Sequence, residues 1–190
     1  MKLLIATMLA LTFSCADSVG ESSLQATTSL YYFDHTEIAI RSQGGVDHNL
    51  KAAIAQAKLD WNALDTPINF ASKGGGDGEY IQMATTIIES KGLGSVVYSV
   101  DPSPVVVAAH LRWYGQNTAT GVQLADLSAN AVQHIACRML GQAVGLTTLS
   151  PEPDSCMDSC SNDTDMTCLD DPAKTTPGAQ DEALLQSVYY

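Results

Sequence analysis

The chain has 190 residues, and its nine Lys and Arg against 21 Asp and Glu leave a formal charge of −12. Such a balance argues against nucleic acid and anionic membrane surfaces as partners, because phosphates need Lys and Arg to neutralise them. The length suits one domain with its own core, and no internal repeat or second domain is visible.

Taken in chain order, Lys2, the apolar run 3–13 and the small-residue stretch Ser14-Cys15-Ala16 match a secretory signal peptide. The run is too short to cross a bilayer as a stable helix. Residues 1–16 are therefore expected to be removed, residues 17–29 to form a polar leader, and residues 30–190 to fold as a single secreted domain. No membrane span is expected after that, and an extracellular monomer is the expected state.

Residues 30–42 are β-rich and end at Gly44-Gly45. From 46 to 64, Leu50, Ile54, Ala57 and Trp61 recur at helical spacing, with Asp47 placed to cap the start. Pro67 stops this helix. A short strand over 68–71 is followed by the glycine-rich run 73–78, which lacks the ending of a phosphate-binding loop and reads as a plain turn. Strands are expected over 80–85, 95–100 and 105–113, the last rich in branched residues. A second helix over 128–145 carries the apolar stripe Val132, Ile135, Ala136, Met139, Leu140, Ala143 and Val144. Residues 151–177 are acidic, rich in cysteine and without periodicity. A short helix from about Gln180 closes the chain, with Asp181 and Glu182 favourable at its positive end.

With Cys15 removed, Cys137, Cys156, Cys160 and Cys168 remain, an even set in an oxidising compartment. Four cysteines allow three connectivities, among which sequence alone does not choose. The stretch Asn162-Asp163-Thr164-Asp165 offers oxygen ligands for calcium but lacks the glycine and distal Glu of an EF-hand loop. Asn162-Asp163-Thr164 is also a glycosylation sequon, usable in a eukaryotic source.

The most specific segment is Cys137-Arg138-Met139-Leu140-Gly141-Gln142-Ala143-Val144-Gly145-Leu146, followed by Cys156-Met157-Asp158. It resembles the metzincin clan of zinc metallopeptidases, whose pattern is HExxHxxGxxH followed by a methionine turn. The likeness is greatest to small secreted microbial members, in which a Cys before the motif pairs with the Cys of a Cys-Met-Asp turn. The resemblance implies an α+β, zincin-like fold: a twisted mixed sheet of four to five strands with one antiparallel edge strand, two long helices and a C-terminal helix. It also implies the bridges Cys137–Cys156 and Cys160–Cys168, Met157 as the floor beneath the metal site, and residues 105–113 as the edge strand on which substrates lie.

A zincin holds its metal with two imidazoles at i and i+4 of a helix and a third beyond the glycine, and a Glu beside the first polarises water. Here those positions hold Arg138, Met139, Gln142 and Thr148. Arg138 carries a fixed positive charge, Met139 has no basic oxygen, and Gln142 and Thr148 are poor zinc ligands. No catalytic residue and no metal are expected, zinc being the family's cofactor and calcium the alternative. His134 lies one turn before Arg138, where a structural role outweighs a rebuilt ligand. The expected function is binding of an extracellular peptide or protein without cleavage, with His110, Trp113 and His134 as candidate contacts. Two other readings are a divergent zinc metalloendopeptidase and a disulfide-stapled structural or effector protein.

Overall fold

A computed structural model of the chain describes residues 31–71, 80–86, 90–100, 105–146, 154–158 and 160–190. The expected signal peptide and leader, the turn at 73–78 and Thr148 lie outside the described residues. The fold is α+β, built on a five-stranded mixed sheet in the order β2-β1-β3-β5-β4. The strands are β1 (Glu37–Ser42), β2 (Asn69–Ala71), β3 (Tyr80–Thr86), β4 (Gly94–Val100) and β5 (Val106–Tyr114). Pairings among β2, β1, β3 and β5 are parallel, and β4 alone runs antiparallel, against β5.

Helix α1 (His48–Asn62) joins β1 to β2 as a crossover between parallel neighbours. Its start is set by Asp47, whose carboxylate accepts from the Asn49 N–H at 2.7 Å. Its end is tied to the sheet by Asn62, whose amide donates to the Phe70 carbonyl at 3.0 Å and accepts from the Phe70 N–H at 2.7 Å. The side chain thus pairs with β2 as a strand would. Helix α2 (Ala129–Ala143) is capped by Ser128, whose Oγ accepts from the Ala131 N–H at 3.1 Å.

α2 lies in the core. The stripe Ile135, Ala136, Met139, Leu140 and Ala143 is fully buried with Trp61 and Phe70 and with Ile81, Leu111 and Trp113 of the sheet. Trp61 Nε1 donates to the Cys137 carbonyl at 2.9 Å, fixing α1 across α2. Two short helices follow, α3 (Cys160–Asp163) and α4 (Met166–Leu169), before α5 (Ala179–Tyr189) closes the chain. Among the described residues no helix is long and apolar enough to cross a membrane.

One expectation is corrected. Residues 105–113 do not form the edge strand; β5 sits between β3 and β4, and the antiparallel edge is β4. The reason is burial on both faces of β5. Val106 and Ala108 are buried on one face and Ala109, Leu111 and Trp113 on the other, as a central strand requires. No residue of β4 is fully buried, and Val97 and Val100 are exposed.

Candidate functional site

The segment Arg138 to Leu146 is held by both ends of its sequence. Gly145 has φ of 103°, a left-handed conformation that glycine adopts without steric cost. There the Leu146 N–H donates to the Gly141 carbonyl at 3.1 Å and the Gly145 N–H to the Gln142 carbonyl at 3.0 Å. This paired closure ends α2 sharply and turns the chain away. A methyl group on Gly141 would lie 2.5 Å from Met157 Sδ and 2.6 Å from Trp61 Cζ2, so only glycine lets the turn at Met157 press against α2.

That turn is anchored from three directions. Cys137 and Cys156 form a disulfide, and the Cys156 N–H donates to the Thr176 carbonyl at 2.8 Å. The Met157 N–H donates to Ser155 Oγ at 3.0 Å, and that hydroxyl in turn donates to the buried Asp181 carboxylate at the start of α5. The same carboxylate accepts from the Gly178 N–H at 2.8 Å. The sequence marked Asp181 as favourable for the helix end; its service to the methionine turn is a tertiary relationship.

Of the described residues at the motif positions, Arg138 and Met139 are taken up by packing. The Arg138 guanidinium is buried and ion-paired with Asp163, whose side chain is only 2% exposed. The other Asp163 oxygen accepts from the Leu93 N–H at 2.9 Å, and the Asp163 carbonyl accepts from Asn117 Nδ2 at 3.1 Å. One aspartate therefore joins α2, α3 and the loops flanking β4 and β5. Met139 is fully buried, and a methyl on Gly94 would stand 2.5 Å from its sulfur, so β4 lies directly on it. Gln142 is half-buried, with its backbone carbonyl accepting the Tyr98 hydroxyl proton. Zinc does not fit these residues. Arg138 has no lone pair to give and already neutralises Asp163, Met139 has no basic atom, and Gln142 offers an amide oxygen.

Calcium, the alternative to no metal, meets the same competition for ligands. Asp163 is committed to Arg138 and Leu93, and Asp165 caps α4 by accepting from the Thr167 and Cys168 N–H groups, both at 3.1 Å. Asn162 has no described side chain.

The three candidate peptide contacts are not brought together. Trp113 is fully buried in the core. His134 is also fully buried and turned toward the segment after the methionine turn, where Nε2 lies 3.0 Å from the Asp158 carbonyl. His110 lies on the opposite face of the sheet, its Nδ1 3.1 Å from Gln82 Oε1 and its Nε2 3.2 Å from Ser99 Oγ. None of the three faces the groove beside Gln142.

That groove, about 300 Å³, is lined by Gly94, Ser95, Val96, Tyr98 and Gln142. It runs between the C-terminal half of α2 and β4, and among the described residues no strand pairs with the outer side of β4. Tyr98 stacks obliquely on Tyr31, ring centroids 5.4 Å apart, and burial pushes its hydroxyl up to about 12. Ser95 Oγ lies 2.8 Å from the Tyr114 hydroxyl. Sequence reasoning missed this lining because it placed the edge one strand away. The serines at 95 and 99 among the valines of β4 were the available sign of a half-exposed strand.

No family model matches the chain, and no curated protein matches it. Solved structures are similar to it, two of them as follows. One is high choriolytic enzyme 1, a hatching enzyme zinc-protease from the medaka fish Oryzias latipes, with 11% identity, a TM-score of 0.37 and coverage of 62% of this chain. The chain spans 50% of that enzyme's length. The other is myroilysin, with 10% identity, a TM-score of 0.46, and coverage of 83% of this chain and 85% of that one.

Proposed function

We propose that this chain is a secreted, non-catalytic member of the metzincin group that binds an extended peptide in the groove between β4 and α2. The observation that carries the proposal is that β4, beside that groove, is the edge strand among the described residues. A sheet edge presents unpaired N–H and C=O groups, and an extended peptide satisfies them by adding as a further strand. Gln142 and Tyr98 line the groove that such a peptide would enter. The resemblance of the segment from Cys137 to Asp158 supports the family, and the replaced motif residues support binding without cleavage. Secretion is supported by the start of the sequence and agrees with the two disulfides.

The test is hydrogen exchange on the oxidised chain against a library of extended peptides, read beside a cleavage assay of the same mixtures. Slowed exchange of the Gly94–Val100 amides with no cleavage is the expected result. Cleavage that requires zinc would overturn the non-catalytic reading. Unchanged exchange in β4 with every peptide would overturn the binding site.

A further inference from the structure

His134, which the proposed peptide site does not use, stands beside the second disulfide. Both of its ring nitrogens lie 3.8 Å from Cys160 Sγ. A carbonyl only accepts, so the 3.0 Å contact with the Asp158 carbonyl places a proton on Nε2 and leaves the Nδ1 lone pair free. An imidazole whose other N–H is fixed by a backbone carbonyl is how proteins orient a metal-ligating histidine.

Next to it lies a group of further ligand atoms, of which His134 itself is not a member. One ligand atom each from Asp158, Cys160 and Cys168 lies within 4.8 Å of the others. Two ligands on a tetrahedral zinc, at bond lengths of about 2.3 Å for sulfur and 2.1 Å for nitrogen, stand about 3.6 Å apart. The His134–Cys160 spacing is close to that. Two thiolates, one imidazole and one carboxylate make a zinc-type donor set. Its net charge with a dication is −1, and the metal would share the Asp158 carboxylate with Lys174 on Oδ2 and the Cys160 N–H on Oδ1, which the further lone pairs of both oxygens allow. Cys160 and Cys168 are joined, however, and a disulfide offers no thiolate.

The two bridges differ in access. Cys137 and Cys156 are both fully buried, whereas Cys168 is partly exposed, so a reductant reaches the second bridge first. Its loss need not disperse the ligands. Asp163 still fastens α3 to Arg138 and Leu93, Asp165 still caps α4, and the Cys160 N–H donates to Asp158 Oδ1 at 3.0 Å.

We propose that His134, Asp158, Cys160 and Cys168 form a zinc-class metal site that is masked while Cys160–Cys168 is oxidised and unmasked when that bond is reduced. A dithiol reductant gives two electrons and two protons to the bridge and ends as a disulfide itself. Zinc then displaces the two thiol protons.

The test uses the full oxidised chain, a water-soluble phosphine and zinc. The phosphine takes its oxygen from water and, unlike a dithiol, does not compete strongly for the metal. Alkylation and mass mapping should show thiols at Cys160 and Cys168 before Cys137 and Cys156. The chain should then hold one zinc after desalting, against none when oxidised, and cobalt in its place should give thiolate charge-transfer absorption. Cys160→Ser with Cys168→Ser should hold no zinc in either state, and His134→Gln or Asp158→Asn should weaken it about tenfold or more. Zinc retained by the double serine variant would overturn the site. So would a reduced chain with native circular dichroism and two free thiols but no zinc, or one that unfolds on reduction.

Discussion

The Arg138 guanidinium and the Asp163 carboxylate form an ion pair with side-chain exposures of 6% and 2%. Desolvating both groups is costly, and the pair holds because each neutralises the other while Leu93 donates to the second carboxylate oxygen. Asp163→Ala would leave the guanidinium buried without its counter-charge, a loss of about 3–5 kcal/mol. Arg138→Met combined with Asp163→Leu should lose much less, because no charge is stranded. Urea unfolding of the three proteins tests this, and equal losses for the single and double variants would remove the ion pair from the account.

Gly141 lies where a side chain has no room. Adding a methyl 2.5 Å from Met157 Sδ and 2.6 Å from the Trp61 ring should cost about 1–3 kcal/mol through overpacking. Gly141→Ala with Met157→Ala should recover only the part due to the sulfur. A Gly141→Ala chain as stable as its parent in thermal unfolding would mean that α1 and the methionine turn are not pressed against α2.

The bridges should differ in their effect on stability. Cys137–Cys156 closes a separation of 19 residues and Cys160–Cys168 one of 8. Chain-entropy arguments give about 3 kcal/mol for the first and somewhat less for the second. Replacing Cys137 and Cys156 by Ala should therefore lower the unfolding midpoint more than the same change at 160 and 168, as calorimetry would record.

Acid should weaken the fold by way of His134. Its folded pKa is lowered, chiefly by burial, so the unfolded chain binds the proton more readily. Stability from this group is present above the unfolded value and falls as pH drops below about 6.5. Asp158 acts lower on the scale. Burial alone would raise its pKa, but Lys174 and the Cys160 N–H bring it below 3.8, so its contribution survives until pH falls past that value. Denaturant unfolding from about pH 8 to pH 5 should show a decline that His134→Gln reduces. An unchanged slope in the variant would assign the decline elsewhere.

Alkali tests the groove. Tyr98 is raised from 10.0 to about 12, so the unfolded chain loses this proton first and stability should fall as pH rises from 10 toward 12. Absorbance titration should show the Tyr98 hydroxyl ionising late, and Tyr98→Phe should remove that step while costing about 1 kcal/mol through the lost bond to Gln142. Retention of the late step in the variant would place it on another tyrosine.

By itself the sequence determined the long helices, the strands and the kinds of atom at the motif, but not the short helices α3 and α4. Helical spacing, the caps Asp47 and Ser128, and the stop at Gly145 act between near neighbours in the chain, so they are legible in one dimension. The donor capacity of Arg138, Met139 and Gln142 is likewise a property of residue type. Only the tertiary structure decided that β4 and not β5 forms the edge, because strand order follows from which strand is buried on both faces. It also decided that Asp163, 25 residues after Arg138, is its partner. The turning of His134 toward Cys160 belongs to the same class, since no local pattern encodes which distant charge or sulfur a buried side chain will meet.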